Sequence, residues 1–316
     1  MTPPLAPGGV RDPLEGLDTR DRAQVVALLD DATAANFNAP CRQGSIDLIK
    51  PDGILVATGD LHDNPLHFAR VLAYARLDQA TDDAPRHVTL HEVIHGSSPV
   101  GGIDFSHRAL LRVAALKRAH PRFVHTLLAN HELSQIVGAG VVKDGVPMRE
   151  AFNEGVRITF GRTDAQVVEA AIERFIRSMP IALVTDSPVG TRVFCAHSLP
   201  SPSLMERFDD TVIDRDLTDE DYTPRQGAAH LMVWGRGHTP AQRQALAAKW
   251  GVSLFVLGHE HVEEGWQVHP PSTITLNSDH EKGKAIKIPL GDHPDLAHAQ
   301  QWLRSLAKDD SSLGAG

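Results

Sequence analysis

The stretch Gly53-Ile54-Leu55-Val56-Ala57-Thr58-Gly59-Asp60, GILVATGD, is a short apolar run that ends in a polar residue. It predicts a buried strand whose C-terminal end delivers Asp60 to a loop. Outward from it, helix and strand alternate. Residues 18–36 place Val25, Val26, Leu28 and Leu29 at helical spacing. PLHFARVLAYARL (65–77) predicts a second helix, RHVTLHEV (86–93) a strand, and SHRALLRVAALKRAHP (106–121) an amphipathic helix that stops before Pro121. FVHTLLANHE (123–132) predicts a third strand that again delivers polar residues. The alternation argues for an α/β protein.

Farther on, DAQVVEAAIERFIRSMP (164–180) predicts a helix closed by Pro180, and IALVTD with TRVFCAHS a hairpin turning at SPVG. PAQRQALAAKWG predicts a helix ending at Gly251. VSLFVLGHEH predicts a strand on which His259 and His261 alternate and so share a face, and GWQVHP, STITLNS and KAIKIPL predict further strands. HPDLAHAQQWLRSLA (293–307) is expected to be a helix. No internal repeat and no linker interrupts the chain. The expected organisation is a flexible segment at 1–16, one domain over 17–307 and a flexible tail at 308–316.

Composition narrows the function. Of 316 residues, 31 are Lys or Arg and 40 are Asp or Glu, a net charge of -9 with no basic block. A nucleic-acid partner is therefore not expected. Two distant cysteines, Cys41 and Cys195, give no disulfide framework and point to a reducing, cytoplasmic setting. No apolar run of about 18 residues predicts a membrane span, and the Pro- and Gly-rich start does not read as a secretory signal.

His91-Glu92-Val93-Ile94-His95 fits H-E-x-x-H, a zinc-protease signature. That motif works because two His four apart share a helix face with the Glu beside them. Here it starts in a strand-like run and meets Gly96, Pro99, Gly101 and Gly102 at once, and positions 98 and 101 lack the metzincin Gly and His. A protease remains a distant alternative.

The strand-end polar residues make a better set: Asp60 and His62, Glu92, Asn130 and His131, His197, then His259 and His261. Ligand sites of open α/β sheets gather at such ends. Two carboxylates, an amide oxygen and several imidazoles suit a pair of metal ions, which clamp phosphoryl oxygens and generate a nucleophile from water.

In order, GDLHDN, HEVIHGS, ANHE, AHS and GHEH resemble the motifs of the calcineurin-like metallophosphoesterases, most closely the phosphoprotein (Ser/Thr) phosphatases and their bacterial relatives. The resemblance covers about residues 52–290 and includes MPIALVTD, RVFCAHSLPSP and MVWGR. It implies a four-layer αββα sandwich and a dinuclear site holding Mn, Fe or Zn. It implies Asp60 and His62 on the first ion, Glu92 bridging, and Asn130, His197 and His259 on the second. His261 is a further candidate ligand, as in the wider superfamily. His131 is the implied general acid. The substrate implied is a phosphorylated protein or a small phosphoester. Dinucleoside polyphosphates, and a metal-binding scaffold without turnover, are the alternatives.

The second motif departs from the family. Glu92 replaces the bridging Asp, His95 the Asp that orients the general acid, and Gly96 the phosphate-binding Arg. Arg236 is the candidate replacement cation, and Asp279, like His95, is expected beside the site without holding metal. With an imidazole at 95, His131 should titrate lower than beside a carboxylate.

Overall fold

The computed structural model describes residues 11–307 apart from 97, 98, 139 and 144. Its elements run α1 (Arg22–Phe37), β1 (Arg42–Gln43), β2 (Ile46–Ile49), β3 (Ile54–Thr58), α2 (Pro65–Ala75), β4 (Arg86–Leu90), α3 (His107–Ala119), β5 (Val124–Thr126) and α4 (Asn130–Val137). A small hairpin, β6 (Val142–Lys143) and β7 (Val146–Pro147), precedes α5 (Met148–Phe160) and α6 (Arg162–Ser178). Then come β8 (Ala182–Thr185), β9 (Arg192–Ala196), α7 (Ala228–Trp234), α8 (Pro240–Trp250), β10 (Val252–Leu257), β11 (Trp266–His269), β12 (Thr273–Leu276), β13 (Lys284–Pro289), α9 (Leu296–Ala299) and β14 (Leu303–Ser305).

Local chemistry sets the helix ends. Asp21 accepts from the Ala23 and Gln24 amides at the start of α1, and Asn64 accepts from His67 with Pro65 in the first turn of α2. The last predicted helix is mostly absent. Its apolar spacing suits a helix, but α9 is only four residues long, and Leu303–Ser305 instead pairs antiparallel with β13. Tertiary pairing overrides a short periodic segment, although Asp295 caps its first turn by accepting from the His298 amide.

Two large mixed sheets result. One has seven strands in the order β1-β2-β8-β9-β10-β12-β11, the other five in the order β14-β13-β3-β4-β5. In the second, β3, β4 and β5 run parallel. In the first, β9, β10 and β12 run parallel. Alternation along each strand divides its side chains between two cores. Leu55 and Ala57 of β3, with Ile286 and Ile288 of β13, join Cys195, Val256 and Leu276 of the other sheet in one apolar cluster. Val56, Val88 and Val124 join helix residues such as Leu29, Val71 and Leu110 in the other. Both faces of these strands are therefore covered, which explains their continuously apolar text. Each such buried Val or Leu contributes roughly 1.5–3 kcal/mol. Among the described residues, no helix is long and apolar enough to cross a membrane.

Candidate metal centre

The site begins where the two sheets touch. A Cβ at Gly59 would lie 2.0 Å from the Leu276 carbonyl oxygen, so only glycine lets the end of β3 reach the end of β12. Asp60 then bridges to Asn277 in parallel, the Ser278 amide donates to the Asp60 carbonyl (3.1 Å), and the Gly59 amide donates to Ser278 Oγ (2.9 Å). The Asp60 side chain accepts from the His259 amide at 2.8 Å. A Cβ at Gly258 would stand 2.5 Å from Asp60 Oδ1 and 2.6 Å from His91 Cε1. The Gly-Asp and Gly-His dipeptides are thus two halves of one contact.

Residues 91–95 form no helix. Glu92 and His95 have positive φ, 47° and 57°, and the loop is tied down by Glu132, whose Oε1 accepts from the Val93 (2.8 Å) and Ile94 (3.3 Å) amides. The Glu92 carbonyl accepts from the Leu61 and His62 amides. His91 and His95 have separate partners, Thr58 and Gln135, so the zinc-protease geometry is absent. His62, Asp63 and His259 are also left-handed, making five of the eight non-glycine residues with positive φ among the described residues. Such strain gathers where surroundings fix a functional geometry.

The side chains converge on two points. His197 Nε2 lies 2.7 Å from Asn130 Oδ1, 2.8 Å from Glu92 Oε2 and 2.9 Å from His259 Nδ1. The other Glu92 oxygen lies 3.1 Å from His62 Nε2 and 3.4 Å from His131 Nε2. Glu92 therefore belongs to both groups able to hold an ion, His62–Glu92–His131 and Glu92–His197–His259, and a third is Asp60–His91–His197. All these residues except half-buried His62 are buried.

Proton counting shows that a cation fits. His91 Nε2–H donates to the Thr58 carbonyl at 2.8 Å, which leaves His91 Nδ1 as an acceptor for His197 Nδ1–H, 3.1 Å away. A neutral His197 then presents a bare Nε2 to two oxygens without protons, Asn130 Oδ1 and Glu92 Oε2, and only the His259 ring can offer it one. Glu92 Oε2, His131 Nδ1 and His259 Nε2 make no hydrogen bond. Buried lone pairs meeting without protons are costly, and this nitrogen and oxygen set is one that divalent ions accept.

The electrostatics agree. Burial, then the Glu92 charge, pushes Asp60 up to about 7. Burial would also raise Glu92, but the His131, His197 and His62 rings hold it well below the usual carboxylate range. His197 is raised: burial opposes this, and the adjacent Glu92 charge prevails. Burial, only partly offset by Glu92, keeps His131 well below an ordinary imidazole, and the His62 and His95 rings add to the depression.

Of the residues singled out in the sequence, Asp60, His62, Glu92, Asn130, His131, His197 and His259 come together. Asp60 falls in the group with His91 and His197, and His62 in the group with Glu92 and His131. Asn130 does not end a strand: β5 stops at Thr126, and Asn130 opens α4. His261 is a correction. β10 ends at Leu257 and His259 turns the chain with φ 70°, so the two His do not alternate on a strand; His261 is exposed, its ring 5.3 Å from His280. His95 is fully buried with its ring 5.2 Å from that of His131. Asp279 Oδ1 accepts from Asn277 Nδ2 at 2.8 Å. Arg236 is exposed, and its charge helps to lower His259 after burial and His197. Sequence reasoning missed His91 as a site residue because H-E-x-x-H claimed it. It also missed Glu132 and Lys143; Lys143 Nζ donates to the His95 carbonyl at 2.8 Å.

Two large mixed sheets with helices are an architecture shared with solved phosphatase structures. The chain superposes on a protein serine/threonine phosphatase from Saccharomyces cerevisiae with similarity to human phosphatase PP5, at a TM-score of 0.60 and 16% identity over 85% of this chain and 83% of that one. It also superposes on the cold-active protein-tyrosine phosphatase of a psychrophile, Shewanella sp., at 0.53 and 14% over 79% of each chain. A second structure of a cold-active protein tyrosine phosphatase gives 0.51 and 14% over 78% and 76%. At these identities the likeness is one of fold. No protein-family model and no curated protein matches the sequence.

Proposed function

We propose that this protein is a phosphoester hydrolase of the metallophosphoesterase type, acting on a phosphorylated protein or small phosphoester with two bound metal ions. The observation that carries the reading is the meeting of Asn130, Glu92 and His259 at the bare Nε2 of His197. The two apolar clusters and the shared fold support an αββα sandwich over residues 17–307.

Asn130, His197 and His259 would hold one ion, Asp60 and His62 the other, and Glu92 both. When bound, Mn, Fe or Zn ions would neutralise phosphoryl charge and supply a nucleophile from water near neutral pH. The protein's own groups do the rest. Glu132 fixes the loop that presents Glu92. His131 faces the centre through Nε2, and once its ring has taken up a proton from solvent the imidazolium would pass that proton to the leaving oxygen. The arriving phosphoryl charge raises its proton affinity. With His95 rather than a carboxylate beside it, that assistance is weaker, which favours esters with acidic leaving groups.

The test is hydrolysis of p-nitrophenyl phosphate by purified protein with Mn²⁺, with Asp60→Asn as control. Turnover that Asp60→Asn removes supports the reading; metal uptake without turnover of any phosphoester leaves a binding scaffold instead.

A further inference from the structure

Gly96 stands where the phosphatases that this sequence resembles have a phosphate-binding arginine, and a distant segment brings a cation to the residue before it. The β6–β7 hairpin pairs Val142 with Pro147 and Lys143 with Val146. From it, half-buried Lys143 reaches over the second motif, and its Nζ donates at 2.8 Å to the carbonyl of His95, the residue before Gly96. The same Nζ lies 3.5 Å from His62 Nδ1. With Nε2 turned to Glu92 at 3.1 Å, His62 directs Nδ1 at the Ile94 carbonyl at 3.3 Å, so that Nδ1 carries a proton and cannot accept from the lysine. An ammonium has three N–H donors. Here one is used, and among the described residues no carboxylate lies within ion-pair distance of Nζ.

We propose that Lys143 binds the phosphoryl oxygens of the substrate. The inference rests on the phosphoester-hydrolase reading. Arg236, the cation singled out in the sequence, is exposed and makes no hydrogen bond or ion pair with the second motif among the described residues, whereas Lys143 is half-buried and bonded to it. An ammonium is a point charge and lacks the fork of a guanidinium. The clamp built on it holds phosphate by charge more than by orientation.

The test compares Mn²⁺-loaded wild type with Lys143→Ala, Lys143→Arg and Arg236→Ala. Inorganic phosphate binding is measured by calorimetry, kcat and KM with p-nitrophenyl phosphate, and metal content by elemental analysis. Lys143→Ala is expected to keep its metal, to lose phosphate affinity at least about tenfold, and to lose kcat/KM roughly a hundredfold. Lys143→Arg should recover most of both. If Lys143→Ala binds phosphate like wild type while wild type turns over, this inference falls and the parent reading stands. If the metal-loaded wild type neither binds phosphate nor hydrolyses the ester, both fall.

Discussion

Two buried histidine clusters in this protein have similar composition and opposite design. At the start of β4 and in β5, His87 and His125 stand beside Asp47 and Cys41, and Cys41, Asp47 and His125 are close enough to hold an ion. There the protons line up. His125 Nδ1–H donates to Asp47 Oδ2 at 2.7 Å, and His125 Nε2 accepts from His87 Nδ1–H at 2.9 Å. Asp47 also faces Arg42 at 4.0 Å, and the nearby Lys117 ammonium donates to the Pro121 and Val124 carbonyls. Positive charge is already built in. At the other end of β4, lone pairs meet at one nitrogen and protons run out. A cluster of ligand-type residues thus becomes a metal site through convergence of unprotonated atoms, not through composition.

The contrast can be broken most directly at its two central rings. His197→Ala should abolish metal uptake, measured by elemental analysis, and lower phosphatase activity by about a thousandfold or more, because groups acting as one unit fail together. Retained metal would break the distinction. Next in size, His131→Asn should lower kcat by roughly 10²–10⁴-fold with metal content unchanged. The loss should be larger on phenyl phosphate than on p-nitrophenyl phosphate, whose leaving group needs less assistance.

His91→Phe should weaken metal affinity by about 10–100-fold, the range for groups that orient a ligand. It removes the acceptor that sets the His197 tautomer, and an unchanged affinity in calorimetry would reject that role.

At the other cluster, His125→Ala should leave metal content as it was. It should cost about 3–5 kcal/mol in urea unfolding, because Asp47 stays buried without its main partner. A pH series sharpens this. Burial, then His125, pulls His87 down to about 3, and burial pulls His107 to about 4. Unfolded, both titrate near 6.5. Below that pH the unfolded chain binds protons that the folded chain refuses, so stability falls as pH drops from about 6.5 towards 4. The slope is roughly 1.4 kcal/mol per pH unit for each such group. His87→Phe should flatten that slope.

Much of the centre was legible because short apolar runs announce strands, and the residue after each run is carried to one edge. Asp60, Glu92, His197 and His259 were found that way. His261 was misread because the sequence does not reveal that the strand ends at Leu257 or that His259 is left-handed. The C-terminal strand was missed because LAHAQQWLRSLA has helical spacing, and only the free edge of β13 makes the extended form better. Lys143 was invisible for a different reason. It sits in a two-residue strand with no apolar pattern, and its value depends on where His95 lies in space.

The contact between Gly59 and the Leu276 carbonyl has a mechanical consequence. The five-stranded sheet and α4 supply Asp60, Glu92 and Asn130, while the seven-stranded sheet supplies His197 and His259. Ions bound at the centre would therefore rivet two halves that otherwise meet through apolar packing, the Gly59 seam and buried polar contacts such as His125–Asp47. Stripping the metals with a chelator should accelerate amide exchange first at Gly59, Asn277 and Ser278, well before the interior of either half loosens.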